Sequence, residues 1–178
     1  MKFKILTIIA AMTISSIALS EGQTVDQKNQ IQDNTDYSSI GILNPQQNAA
    51  AEAAEVGRAF LDSNRLVPGV KFTPSGLQYK IIKEGSGNRP TLNDTVTVNY
   101  RGSLLDGKVF DSSYQRGKPT TFQISNVIKG WQEGLMMMKP GAVWMLYIPA
   151  KLAYGEQGAG PIGPNQTLIF EVQLISVH

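Results

Sequence analysis

From Gly76 to the C-terminus, apolar and polar positions alternate in short runs divided by glycine, proline and Asn/Asp. "GLQYKIIKEG" (76–85) alternates, and "DTVTVNYRGSLLDGKVF" (94–110) does so more clearly, with Val96, Val98 and Tyr100 on one face. A period of two sends successive side chains to opposite faces, so both segments predict strands with one buried side. "PTTFQI" (119–124), "AVWMLYIP" (142–149) and "QTLIFEVQLISV" (166–177) are β-rich in the same way. Asp106-Gly107 falls between two strand-like pieces and predicts a type I′ hairpin, because both residues tolerate positive φ. Within this part only "VIKGWQEGLMMM" (127–138) has helical spacing, with Trp131, Leu135 and Met138 on one side. The expected fold class is α+β: a strongly bent antiparallel sheet with one short helix on its concave face. That arrangement leaves room for a pocket between helix and sheet.

Before the strands, the pattern is helical. "NPQQNAAAEAAEVGRAFLDSNRL" opens on Asn44 as a cap and Pro45 at the first helical position, then runs through strong helix formers. An N-terminal helical segment over 45–67 follows, with the helix reaching about Arg65 and Pro68-Gly69 ending it. Gly57 weakens it by about 1 kcal/mol relative to alanine. Val56, Phe60 and Leu61 form its apolar stripe, which packs either on its own domain or against a second copy in a homodimer. Residues 21–44 are rich in Gln, Asn, Asp and Ser without a sustained period, the composition of a disordered polar arm. Residues 1–20 have a basic start at Lys2 and Lys4, an apolar middle and small residues before a cut after Ser20. Those three parts predict a cleaved signal peptide and an exported protein, whether periplasmic, surface-associated or secreted. Thr7, Thr13, Ser15 and Ser16 interrupt the run, so no apolar span of ~20 residues forms to cross a membrane.

The leader also changes the charge. Without Lys2 and Lys4 the 16 basic residues become 14, equal to the 14 acidic ones, so no long-range field marks a nucleic-acid partner. The chain has no cysteine, and its one histidine is the last residue, His178. Thiol nucleophiles, disulfides, Cys/His zinc sites and Ser-His-Asp triads all need residues that are missing or stranded at a terminus. Chemistry here must be non-covalent or rest on carboxylates, with no metal and no cofactor expected.

The most suggestive carboxylate is Asp111, set beside Phe110 and followed by Ser112, Ser113, Tyr114 and Arg116. Residues alone favour a turn cap, since Asp and Ser satisfy local backbone amides. Arg116 is most simply a solvated loop cation, with a pairing to Asp111 as the second reading. Taken one at a time, the aromatic residues are core, and Phe170, alternating with Ile169 and Val172, is the plainest case. Met136, Met137 and Met138 are consecutive on a helix and point different ways, so at most two face any pocket.

Taken in order, "GLQYKIIKEGSG", "VTVNYRGSLLDGKVFDSSYQRGKPTTF" and "VIKGWQEGLMMMKPGAVWMLYIPAKLAYGEQGAGPIGPNQTLIFEVQLISV" resemble the FKBP-type peptidyl-prolyl cis-trans isomerases of the macrophage infectivity potentiator group. The likeness covers residues 70–178 as one isomerase domain. It implies a half-barrel sheet wrapped around the helix, with an apolar pocket between them. It further implies that Phe110, Phe122, Val127, Ile128, Trp131, Ile162 and Phe170 bind substrate, with Trp131 as the floor beneath a prolyl ring. Tyr100, Asp111 and Tyr154 would be the catalytic set, and the Ile128 N–H and Tyr154 hydroxyl would hold substrate carbonyls. The implied activity is rotation of X-Pro bonds in exported proteins. Proline-containing polypeptides would be the partners, and macrolides of the tacrolimus and rapamycin type the inhibitors. A proline-peptide binding module or chaperone with little catalysis, and an oligomeric scaffold, are the alternatives.

Overall fold

The computed structural model describes residues 44–178; the leader read at 1–20 and all of the polar arm except Asn44 lie outside the described residues. Helix α1 spans Pro45–Asn64. Asn44 Oδ1 accepts the Gln47 N–H at 2.8 Å while Gln47 Oε1 accepts the Asn44 N–H at 3.1 Å. This reciprocal capping box satisfies amides that a first helical turn otherwise leaves open.

The docked face of α1 differs from the expected stripe. Phe60 and Leu61 are half-buried, but Val56 is 50% exposed, and the buried positions are Gly57 and Asn64. The reason is steric: a Cβ on Gly57 would stand 2.4 Å from Thr167 Oγ1, so the helix comes this close only where a side chain is missing. Phe60 then meets Tyr147 at 5.9 Å between ring centroids. Asn64 Nδ2 donates to Gln78 Oε1 at 2.9 Å, and Gln78 Nε2 donates to the Leu61 carbonyl at 2.8 Å. At the other end Asn165 Nδ2 donates to the Ala50 carbonyl at 3.1 Å. The helix is therefore packed on its own domain along most of its length, the first of the two readings.

Strands β1 (Val70–Phe72), β2 (Gln78–Lys83), β3 (Thr95–Ser103), β4 (Val109–Ser112) and β5 (Thr120–Gln123) precede helix α2 (Lys129–Met137), which is followed by β6 (Val143–Ile148) and β7 (Leu168–Val177). All pairings are antiparallel, in the order β1-β2-β6-β7-β3-β4, with β5 beside the first half of β3. The sheet does not close. β1 has no counterpart in the sequence reading, since three residues are too few to show a period. Among the described residues no helix is long and apolar enough to cross a membrane.

The expected type I′ hairpin is not formed. Gly107 has φ +85°, but Asp106 keeps negative φ. The Asp106 Oδ1 instead accepts the Lys108 N–H at 2.8 Å, and Gly107 N–H reaches the Leu104 carbonyl at 3.1 Å. An aspartate that bonds the backbone two residues on makes the turn itself, so one left-handed residue suffices.

The core lies between α2 and the concave face of the sheet. Val96, Val98 and Tyr100 of β3, Leu146 and Ile148 of β6, and Leu168, Phe170, Val172 and Leu174 of β7 are buried, as are Trp131, Leu135 and Met138. The last three are the side of α2 that the spacing indicated. Gly130 and Gly134 face β6: a Cβ at either would come within 2.4 Å of Ile148 or 3.0 Å of Leu146.

Gly57→Ala sets two effects against each other. Helix propensity gains about 1 kcal/mol, while overpacking against Thr167 costs about 1–3 kcal/mol. The expected net result is a lower thermal midpoint together with faster proteolysis within α1; a raised midpoint would mean that Thr167 yields at no cost.

Candidate active site

Three strands meet helix α2 at Trp131. The third position of α2 places its indole among Tyr100 of β3 at 5.1 Å, Phe170 of β7 at 5.1 Å and Phe122 of β5 at 5.6 Å. The first two contacts are edge-to-face, at 87° and 84°. Such pairs add about 0.5–1.5 kcal/mol each beyond area burial. Phe110 extends the cluster by packing on Phe170 at 5.5 Å. Gly102 makes the space for that pair, since a Cβ there would lie 2.5 Å from the Phe170 ring and 2.8 Å from Phe110.

Val127, Ile128 and Tyr154 are partly buried against this core, and Ile162 is buried beside it. Ile162 is set by a tight bridge in which its carbonyl accepts from Ala159 N–H at 2.8 Å and its own N–H donates back at 3.0 Å. The structure thus places nine of the ten expected site residues in or against one hydrophobic core, with Tyr100, Phe122 and Phe170 in ring contact with Trp131 and Phe110 reaching it through Phe170, while Asp111 joins through its bond to Tyr100.

Three donors in this region are open. The Trp131 Nε1 is buried with no partner, the Ile128 N–H meets no acceptor, and the Tyr154 hydroxyl makes no hydrogen bond among the described residues. Of the three only the indole nitrogen is fully buried, a state it shares with Trp144 Nε1 elsewhere in the core, while Ile128 and Tyr154 are partly exposed and so open to an incoming acceptor. The segment carrying Ile128 is held by Gln132, whose Nε2 donates to the Val127 carbonyl at 2.7 Å and the Ser125 carbonyl at 3.2 Å. Sequence reading did not single out Gln132.

At the polar edge, Tyr100 Oη donates to Asp111 Oδ2 at 2.5 Å. Arg116 closes the group. Its Nη1 pairs with Asp111 Oδ1, and its Nη2 donates to Tyr100 Oη at 2.7 Å and to Thr120 Oγ1 at 3.1 Å. The guanidinium also lies 5.3 Å over the Tyr100 ring. Arg116 is therefore paired with Asp111, the second of its two readings, and the pairing of β3 with β4 adds Tyr100 to its partners. Asp111 is not the turn cap. That work falls to Ser112, whose Oγ accepts the Gln115 N–H at 3.4 Å, while Ser113 Oγ reaches across to accept the Tyr100 N–H of β3 at 2.9 Å.

Burial first, and then the hydrogen bond to Asp111, push the Tyr100 phenol well above its ordinary range. Burial, aided by the Asp111 charge, pushes Tyr154 up to about 12. Burial works against the charge on Arg116, but the bonds and charges of Tyr100 and Asp111 outweigh it and raise its pKa. Both phenols are hence protonated donors at neutral pH, and Arg116 is always charged.

The profile of the FKBP-type peptidyl-prolyl cis-trans isomerases matches residues 87–175, and that of the domain amino-terminal to these isomerases matches residues 6–81. A crystal structure of the peptidyl-prolyl cis-trans isomerase of Pseudomonas syringae pv. tomato superposes with TM-score 0.68 at 38% identity, covering 77% of this chain and 98% of that one. The chain belongs to the FKBP-type peptidyl-prolyl cis-trans isomerases. Among these isomerases, "Peptidyl-prolyl cis-trans isomerase Mip" of Coxiella burnetii is 63% identical over 125 residues, which cover 70% of this chain and 54% of the relative. "Outer membrane protein MIP" of Legionella longbeachae is 55% identical over 129 residues, covering 72% and 55%. The chain thus spans about half the length of the curated relatives it matches. The macrophage infectivity potentiator likeness within the FKBP-type family is borne out by these two.

The phenol shifts have a readable consequence. A group whose folded pKa lies above its unfolded value holds its proton longer when native, so its contribution is present below pH 10 and is lost as pH rises through about 12. Absorbance titration near 295 nm should find one phenol ionising near pH 12, and Tyr154→Phe should remove it. A Tyr154 phenol titrating near pH 10 in the folded protein would contradict its burial beside Asp111.

Proposed function

We propose that this chain accelerates cis-trans rotation about X-Pro peptide bonds in exported polypeptides, using the cluster around Trp131 as its prolyl pocket. The X-Pro barrier comes from amide resonance, about 18–20 kcal/mol, which is lost when the bond is twisted. No bond has to break. A catalyst therefore needs only to bind the twisted amide better than either planar form. An apolar site does this by withholding solvation from the polar planar amide, and the near-complete burial of Trp131, Phe122 and Phe170 supports such a site here.

In this reading Trp131 lies under the prolyl ring, flanked by Phe110, Phe122, Val127, Ile162 and Phe170. The Ile128 N–H and the Tyr154 hydroxyl hold substrate carbonyls. Asp111, fixed by Tyr100 and Arg116, presents the polar edge next to the rotating carbonyl. Hydrogen bonds of about 1 kcal/mol each position the chain more than they lower the barrier. No metal, cofactor or covalent intermediate takes part. The same apolar surface takes macrolides of the tacrolimus and rapamycin type as competitors. Export follows from the composition of residues 1–20 and is supported by the name of the Legionella relative. A homodimer through the 45–67 segment is not required, because the buried face of α1 is already occupied by its own sheet.

The observation that carries this reading is the meeting of Tyr100, Phe122 and Phe170 on one indole whose ring nitrogen has no partner. A coupled-protease assay on a tetrapeptide with an X-Pro bond tests it. The full chain should raise the exchange rate, and Asp111→Ala and Tyr154→Phe should each lower kcat/KM about tenfold while far-UV circular dichroism is unchanged. If the doubly substituted protein turns over like the parent, the roles given to these two residues are wrong; if the parent gives only the uncatalysed rate, the binding-module alternative takes its place.

A further inference from the structure

A cleft of about 370 Å³ lies between α1 and the opposite wall formed by residues 149–151 and 165–167. Its lining carries Arg58, Arg65 and Lys151 against a single carboxylate, Asp62. Among the described residues the one ion pair is Arg116 with Asp111, so none of these four charges has an ion-pair partner there. Arg65 stands at the rim, stacked 4.9 Å over Phe72. Lys151 extends over Gly76, its Nζ 3.5 Å from where a Cβ would be. Thr167, also in the lining and facing Gly57, is 3% exposed, yet its hydroxyl has no hydrogen-bond partner among the described residues.

The walls are fixed. Asn165 ties one to the Ala50 carbonyl, Gly57 is pressed on Thr167, and Gln78 bonds both Asn64 and the Leu61 carbonyl. The lining residues on this side run from Ala54 of α1 to its C-cap Arg65, about 16 Å at the helical rise per residue. An extended chain of about five residues has that length. Cations on opposite walls and an unused hydroxyl in the lining are donors without hydrogen-bond acceptors among the described residues, spread along a trough rather than gathered at a point. We propose that this cleft is a second binding site, separate from the Trp131 pocket, that takes carboxylate-rich segments of extended polypeptide.

Fluorescence anisotropy with fluorescein-labelled pentaglutamate, titrated with the full chain, tests this, with labelled pentaglutamine as the uncharged probe. Pentaglutamate binds saturably, and more weakly as salt rises, because exposed charges are screened; pentaglutamine does not bind. Arg58→Glu with Lys151→Glu lowers the affinity at least about tenfold, and the milder Arg58→Gln with Lys151→Gln lowers it less. Thr167→Val, which keeps the volume and removes the donor, lowers it about threefold. Unchanged near-UV circular dichroism confirms that the variants are folded. Equal affinity in the charge-reversed and parent proteins overturns the proposal, as does equal binding of pentaglutamine. So does displacement of pentaglutamate by a similar concentration of inorganic phosphate, which would mark a small-anion site. Competition by pentaglutamate for X-Pro tetrapeptide turnover would place it in the aromatic pocket and also overturn the assignment.

Discussion

Helix α2 can deliver Trp131 into the aromatic cluster only because Gly130 and Gly134 let its backbone come almost into contact with Ile148 and Leu146. These two glycines, one turn apart, share a face and lie against β6. A side chain at either position would lift the helix and draw the indole away from Tyr100, Phe122 and Phe170. Gly102 works the same way across the site, leaving the space where Phe110 and Phe170 meet. The site is therefore made as much by absent side chains as by the rings. Glycine in a helix or strand costs about 0.5–1 kcal/mol relative to alanine, a modest sum beside the burial of several aromatic side chains at about 1.5–3 kcal/mol each.

The polar edge obeys a different constraint. Asp111 is about nine-tenths buried, and a carboxylate so placed is tolerable only with charge and hydrogen-bond partners. Arg116 supplies the charge and Tyr100 a donor, while Tyr100 also forms an edge-to-face pair with Trp131. One residue thus joins the ionic group to the apolar one, so the carboxylate and the indole are held in fixed relation. Tyr154 is a protonated donor at physiological pH, and burial with the Asp111 charge extends that state to about pH 12.

Much of this was legible in the chain. Alternation located β2, β3, β5, β6 and β7 to within a few residues, because each has one face in the core and the other outside. The cap and Pro45 marked the start of α1, and helical spacing found the buried side of α2. What escaped depended on contacts between distant segments. Gly57 reads as a weak point in a helix until Thr167, far along the chain, is found against it. The pairing of Arg116 with Asp111 was open in the chain, but its bond to Tyr100 appears only once β3 and β4 pair. Gln132 and Gly102 carry no local signal at all, since an amide on a helix and a glycine in a strand each have many bland explanations. Asp106-Gly107 was misread for the opposite reason, as a local rule that a side-chain hydrogen bond overrode.

The account holds that rotation is accelerated by shape and dryness, with no proton moving as the barrier is crossed. NMR exchange spectroscopy on an X-Pro tetrapeptide with catalytic amounts of the full chain, run in H2O and again in D2O, tests this directly. Faster cis-trans exchange with the same kcat/KM in both solvents is the predicted result. No acceleration, or a rate that drops in D2O because a proton is in flight at the transition state, would contradict it.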